Sequence, residues 1–133
     1  TILNVLNPVG FDRVTVIHLA AILSGPSEKN FDLSMKVNVF GTLNVVECIR
    51  TISNKLGSPQ IYFYASTDYT LAYIPINQNG ETTEESFRLS PVSYGCQKAA
   101  MEILISDYTR KGFIDGRVGR FCGILGKYNL ADS

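Results

Sequence analysis

Tyr94 and Lys98 stand four residues apart in the run Tyr94-Gly95-Cys96-Gln97-Lys98. On a helix this spacing puts both side chains on one face, about one turn from each other. The chemistry it allows is proton transfer by a phenol. A free tyrosine titrates near pH 10, and bringing it to about 7 takes roughly 4 kcal/mol. An ammonium ~4 Å away supplies roughly 4 kcal/mol at an effective dielectric near 20. The pair is therefore sufficient in magnitude, and a second nearby cation would add to it. Y-x-x-x-K alone also occurs by chance on an ordinary helix face, so the weight rests on its surroundings.

Three further runs could serve such a pair. Ser66 closes the apolar run Ile61-Tyr62-Phe63-Tyr64-Ala65-Ser66. A hydroxyl there can share a substrate oxygen with the tyrosine, although a lone serine also simply ends a strand. Val16-Ile17-His18-Leu19-Ala20-Ala21 places small residues at a strand end, where a flat ring can approach the backbone; the alternative is a packed strand end. His18 has no acidic neighbour in sequence and is expected to be a satisfied, partly buried histidine rather than a general base. Asn38-Val39-Phe40-Gly41-Thr42-Leu43-Asn44 puts asparagine and glycine inside a helical stretch, where glycine costs about 1 kcal/mol against alanine. Gly41 is expected to let the helix press on a sheet, and Asn38 to hold water or backbone near a ligand.

The elements that must position these residues alternate. Residues 14–20 form a β-branched run, expected as a strand buried on both faces. Apolar positions at three- and four-residue steps predict one long helix over 27–52, ended by Gly57-Ser58-Pro59. A strand over 61–66 follows, then a polar loop over 67–89, a length that is often functional. Ser90 is expected as the N-cap and Pro91 in the first turn of a helix that runs to about Lys111 and stops at Gly112. A third strand is expected over 117–125. Strands separated by helices imply parallel βαβαβ units with right-handed crossovers, half of a doubly wound α/β sheet. Ligands bind at the carboxyl ends of such strands, where His18-Leu19-Ala20-Ala21, Ser66 and Phe121-Cys122-Gly123 fall.

Composition narrows the classes. The chain has 133 residues, 45% hydrophobic and 18% charged, enough for one domain with a core. Twelve basic and twelve acidic side chains cancel, so nothing points to nucleic acid or a membrane surface. No apolar run is long enough to span a bilayer, and the opening TILNVLNP lacks the pattern of a secretory signal. Cys48, Cys96 and Cys122 are widely spaced beside a single histidine. That argues against a metal site and a disulfide framework, and for a reducing compartment.

Taken in order, these runs resemble the extended short-chain dehydrogenases/reductases, also called the NAD-dependent epimerase/dehydratase family. The likeness extends from about Val14 to Leu125. It rests on His18-Leu19-Ala20-Ala21, Asn38-x-x-Gly41-Thr42, the strand-ending Ser66 and Tyr94-x-x-x-Lys98. Residues 18–25, 93–98 and 108–117 are similar to sugar-acid dehydrogenases of that family.

The resemblance implies that residues 1–133 are a partial Rossmann-type NAD(P)-binding domain, with NAD favoured over NADP. It implies Tyr94 as acid/base, Lys98 as the group that lowers the tyrosine pKa and binds the nicotinamide ribose, and Ser66 as the group that orients the substrate oxygen. Leu19, Ala20 and Ala21 would line the cofactor, Asn38 would sit close to it, and Ser24 would contact cofactor or substrate. The backbone around Cys122 would lie near the nicotinamide. The implied reaction is hydride transfer between the hydroxyl of a sugar acid or related polyol and the nicotinamide, in cytoplasmic carbohydrate metabolism. A nucleotide-sugar epimerase or dehydratase, and a non-catalytic truncated module, remain open as alternatives. A homodimer through the helices of this region follows by resemblance alone.

The sequence also departs from the family. No G-x-x-G-x-x-G turn occurs in the 133 residues; in the family that turn holds the pyrophosphate. The chain is therefore expected to be a piece that lacks the glycine-rich motif before it and the substrate lobe after it, with a sheet edge left open. Tyr64-Ala65 replaces the usual Thr/Ser-Ser before Ser66, and Phe121-Cys122-Gly123 lacks the usual proline or asparagine.

Overall fold

The computed structural model describes residues 11–71 and 90–123. Three parallel strands, β1 (Thr15–His18), β2 (Ile61–Thr67) and β3 (Asp115–Phe121), lie side by side in chain order with β2 in the middle. The register sets Ile17 beside Phe63 and His18 beside Tyr64, then Ser66 beside Arg120. Residues 72–89, most of the expected polar loop, lie outside the described residues. The loop opens with a 3-10 turn over Asp68–Thr70.

Both crossovers pack on one face of the sheet. Val46, Ile49 and Ile52 from the first, and Met101 and Ile105 from the second, close over Tyr62 and Tyr64 of β2 to form the core, joined by Ile114. The two-residue alternation of a strand sends Phe63 to the opposite face, where its ring meets that of Phe121. On that face Ile17 is 65% exposed. The expectation of a first strand buried on both faces is therefore corrected. β1 is four residues long and, among the described residues, is covered by helices on one side only.

The single helix expected over 27–52 is also corrected. α1 (Ser24–Lys29) ends at Asn30, and α2 (Phe31–Ser34) restarts there, because the Asn30 side chain accepts the Leu33 N–H as an N-cap does. A π-helical segment, Met35–Gly41, leads into α3 (Thr42–Leu56), which closes on left-handed Gly57. Gly41 does not serve contact with the sheet: a Cβ there would meet the Lys36 carbonyl at 3.3 Å, within the widened π turn itself.

α4 (Ser93–Arg110) carries the tyrosine–lysine pair. Its N-cap is the extended Val92, not Ser90. Ser90 instead accepts the Val92 N–H at 3.2 Å and lies against Gly95. A Cβ on Gly95 would come within 2.1 Å of Ser90 Oγ and 2.2 Å of the Tyr69 carbonyl, so Gly95 is the glycine that permits close approach. The helix ends as expected, at Lys111 with Gly112 at positive φ. β3 then begins two residues before its expected start, and residues 124–125 lie outside the described ones.

Candidate active site

Because the strands are parallel and aligned, their carboxyl ends share one edge. A cleft of about 610 Å³ opens there, lined by Leu19, Ala21, Leu23 and Ser24 after β1 and by Ala65 to Tyr69 at the end of β2. Tyr94 and Lys98 of α4, and Phe121, Cys122 and Gly123 after β3, complete the lining. The sequence candidates Leu19, Ala21, Ser24, Ser66, Tyr94, Lys98 and Cys122 thus meet at one cleft. Ala20 and Asn38 are not among its lining residues.

Asn38 acts from behind the cleft. It sits in the π-helical segment, 1% exposed. Its Oδ1 accepts the Ile22 N–H at 2.8 Å. Its Nδ2 donates to the Ile22 carbonyl at 2.9 Å and to Gln97 Oε1 at 2.7 Å. Gln97 in turn donates to Ser34 Oγ at 2.8 Å. Asn38 therefore holds backbone, as one of its two expected roles had it, and ties the loop after β1 to the helix that carries Tyr94. A π turn sets its side chain off the regular helical spacing.

Lys98 is 2% exposed. Its Nζ donates to the Ala65 carbonyl at 2.7 Å and lies 4.4 Å from the centroid of the Tyr64 ring and 5.7 Å from that of Tyr94. Burial pulls its pKa down to about 8, against the opposing charge of Glu102. Tyr94 is shifted the other way from the expected one: burial pushes its phenol above the ordinary range. The Lys98 ammonium donates to Ala65 and lies nearer to the Tyr64 ring than to that of Tyr94.

His18 is buried, with Nδ1 2.5 Å from the Tyr62 hydroxyl. Burial, then the charge of Lys98, lowers its pKa. This is the satisfied histidine expected from the sequence. Ser66 points its hydroxyl at a carboxylate: Oγ donates to Glu102 Oε1 at 2.5 Å. The next residue, Thr67, also lines the cleft. Its Oγ1 donates to Asp68 and accepts the Tyr69 N–H. Thr67 and Glu102 escaped the reading of the sequence. The alternation along β2 and the four-residue step from Lys98 to Glu102 were the available signals.

Among the described residues no group of three or more His, Cys, Asp or Glu side chains could hold a metal, and the three cysteines are free. No helix among them is long and apolar enough to cross a membrane.

A tyrosine–lysine helix laid beside the carboxyl ends of a parallel sheet, with small residues after the first strand, is the arrangement of a Rossmann-like α/β fold. The chain belongs to the NAD dependent epimerase/dehydratase family, whose model matches residues 8–133. It is 38% identical over 126 residues to D-erythronate dehydrogenase of Cupriavidus necator, covering 92% of this chain and 36% of that protein. It is 36% identical to D-erythronate dehydrogenase of Haemophilus influenzae, covering 98% of this chain and 42% of that protein. Among solved structures it superposes on a nucleoside-diphosphate-sugar epimerase from Agrobacterium tumefaciens with a TM-score of 0.74 and 36% identity, over 88% of this chain and 34% of that one. The chain thus spans well under half the length of these relatives.

Proposed function

We infer that residues 1–133 are part of the NAD(P)-binding domain of an oxidoreductase that moves hydride between a sugar-acid or polyol hydroxyl and a nicotinamide dinucleotide, with NAD favoured. The observation that carries this reading is the meeting of Tyr94, Lys98 and the β2 hydroxyls with the small residues after β1 at one cleft. The cleft fits the nicotinamide end of such a cofactor: its volume lies in the range of small-molecule sites, and apolar Leu19, Ala21 and Phe121 give a flat ring apolar surface. Leu19, Ala21, Ser24, Lys98 and the backbone at Cys122 would hold it; Asn38 supports that wall through Ile22. When bound, the dinucleotide supplies the hydride acceptor or donor.

The chain's own residues handle the proton. In the oxidising direction Tyr94 takes the hydroxyl proton and Lys98 holds positive charge beside the phenolate. Burial alone opposes a phenolate at Tyr94, so that charge is what the reaction requires of Lys98. Thr67 and Ser66, which line the cleft with Tyr94, are the hydroxyls that would orient the reacting oxygen. The names of the two curated relatives support a sugar-acid substrate. The name of the Agrobacterium structure favours a second reading, nucleotide-sugar epimerisation. A homodimer and a cytoplasmic location complete the proposal, the latter supported by three unpaired thiols.

The test is thermal unfolding, with NAD and with NADP, of residues 1–133 and of the complete protein that contains them, followed by turnover of Tyr94→Phe in the complete protein. A binder of the folded state at a hundredfold excess over Kd raises stability by about 2.7 kcal/mol. Y94F is expected to keep that shift and to lose turnover by about 10²- to 10⁴-fold. Full turnover of Y94F in the complete protein, or no response of that protein to either dinucleotide, would overturn the reading; no response of residues 1–133 by themselves would mean only that binding needs the parts of the protein outside them. Net oxidation of a sugar acid against interconversion of sugar epimers separates the two reactions.

A further inference from the structure

Lys98 and Glu102 grip consecutive residues at the end of β2. Lys98 Nζ donates to the carbonyl of Ala65, and Glu102 accepts the hydroxyl of Ser66. Both come from α4, with Tyr94 one turn earlier, so the four-residue step lays Tyr94, Lys98 and Glu102 along one stripe of the helix. Glu102 is itself held. Arg120, the register partner of Ser66 on β3, forks onto it, with Nε at 3.1 Å from both carboxylate oxygens and Nη2 at 2.7 Å from Oε2. The side chains of Arg120 and Glu102 are 10% and 2% exposed.

A buried ion pair adds little stability over apolar groups of the same volume. Here its carboxylate sits within the electrostatic reach of a buried cation that lines the cleft. We propose that Glu102 is a positioning residue of the cleft: clamped by Arg120, it fixes the end of β2 against α4 and supplies the negative charge that balances the buried Lys98 ammonium beside Tyr94. The role rests on the proposed function only in so far as it assigns Lys98 to catalysis.

Among the described residues, these groups face Lys98. His18 comes from β1, Tyr64 from β2, and Tyr94 and Glu102 from α4. Asp68 lines the same cleft, and Arg120 acts through Glu102. Burial disfavours the Lys98 charge, and of these groups Glu102 opposes that loss. Removing its charge while keeping its shape should therefore make Lys98 easier to deprotonate.

The experiment is an NMR titration of Lys98 in the full chain labelled at lysine ¹³Cε, with the signal assigned by Lys98→Arg. The midpoint is expected at about 8 in the wild type, and lower by about one pH unit in Glu102→Gln. E102Q removes the charged partner of a buried guanidinium and can misfold. The double variant E102Q/R120M removes the pair together, and a smaller downward shift is expected there. An unchanged or raised midpoint in the folded variants overturns the proposal. If Lys98 shifts as expected while Y94F keeps full turnover, the electrostatic role of Glu102 stands and the catalytic assignment falls. If Y94F is inactive and Lys98 does not move, the reverse holds.

Discussion

Ser66 and Glu102 are joined by a 2.5 Å hydrogen bond across the interface of β2 and α4, the hydroxyl donating and the carboxylate accepting. The donor capacity of Ser66 is thereby used on the helix side of the sheet, while the adjacent Thr67 also lines the cleft. The two hydroxyls should separate on substitution. Ser66→Ala leaves a buried carboxylate short of one donor and is expected to cost about 1–3 kcal/mol of stability, read as a lower urea midpoint. Thr67→Ala is expected to act on kcat/KM with a smaller stability loss. The opposite pattern, with S66A stable and inactive, would return the orienting role to Ser66.

Lys98 makes stability depend on pH in a defined direction. Its folded pKa, about 8, lies below that of an unfolded lysine, about 10.4. Between those values the unfolded chain binds more protons, so the contribution of Lys98 rises with pH, by at most about 1.4 kcal/mol per unit. Below about pH 8 the lysine is charged in both states and the full cost of burying that charge is present. The stability of the wild type minus that of Lys98→Met should therefore climb from about pH 8 to 10 and stay flat below. A difference that stays flat throughout would mean that Lys98 is not depressed.

What the sequence disclosed follows from which patterns are local. Tyr94 and Lys98 were legible because the helical period fixes their shared face. The cleft was legible because strand–helix alternation puts His18, Ser66 and Phe121 at one sheet edge. The run Thr15-Val16-Ile17-His18 has the same composition whether one face or two are covered, so the exposure of Ile17 could not be read from it. The π-helical segment inserts a widened turn that an apolar pattern with mixed three- and four-residue steps does not reveal. Glu102 stood one turn beyond Lys98, but its clamp comes from Arg120 on another strand. Such non-local pairing has no signature in a single sequence.

The two glycines singled out by environment should behave differently. Gly95→Ala drives a Cβ to 2.2 Å from the Tyr69 carbonyl, which cannot be relieved without moving backbone. A loss of about 3 kcal/mol or more is expected. In Gly41→Ala the Cβ meets the Lys36 carbonyl at 3.3 Å, and alanine gains about 1 kcal/mol in helix propensity. G41A is therefore expected to fall within about 1 kcal/mol of the wild type. Thermal or urea unfolding of both variants checks the contrast, and a G41A as damaging as G95A would restore Gly41 as a packing glycine.

Asn38 offers the sharpest test of how the cleft wall is held. Its amide uses both ends: the oxygen accepts from the Ile22 N–H, and the nitrogen donates to the Ile22 carbonyl and to Gln97. Asn38→Ala leaves these partners unmet in a buried setting and is expected to cost about 2–3 kcal/mol. Asn38→Asp is nearly isosteric, yet it replaces the donor with an oxygen facing two acceptors and adds a buried charge, so it should cost more than N38A. Because Ile22 follows Ala21, which lines the cleft, both variants should also weaken dinucleotide affinity in the full chain. Equilibrium unfolding ranks the stabilities, and titration with NAD measures the affinity. If N38D proved as stable as the wild type, the amide would not be donating as described. If N38A lost stability but kept full NAD affinity, the link from Asn38 through Ile22 to the cleft would be structural only.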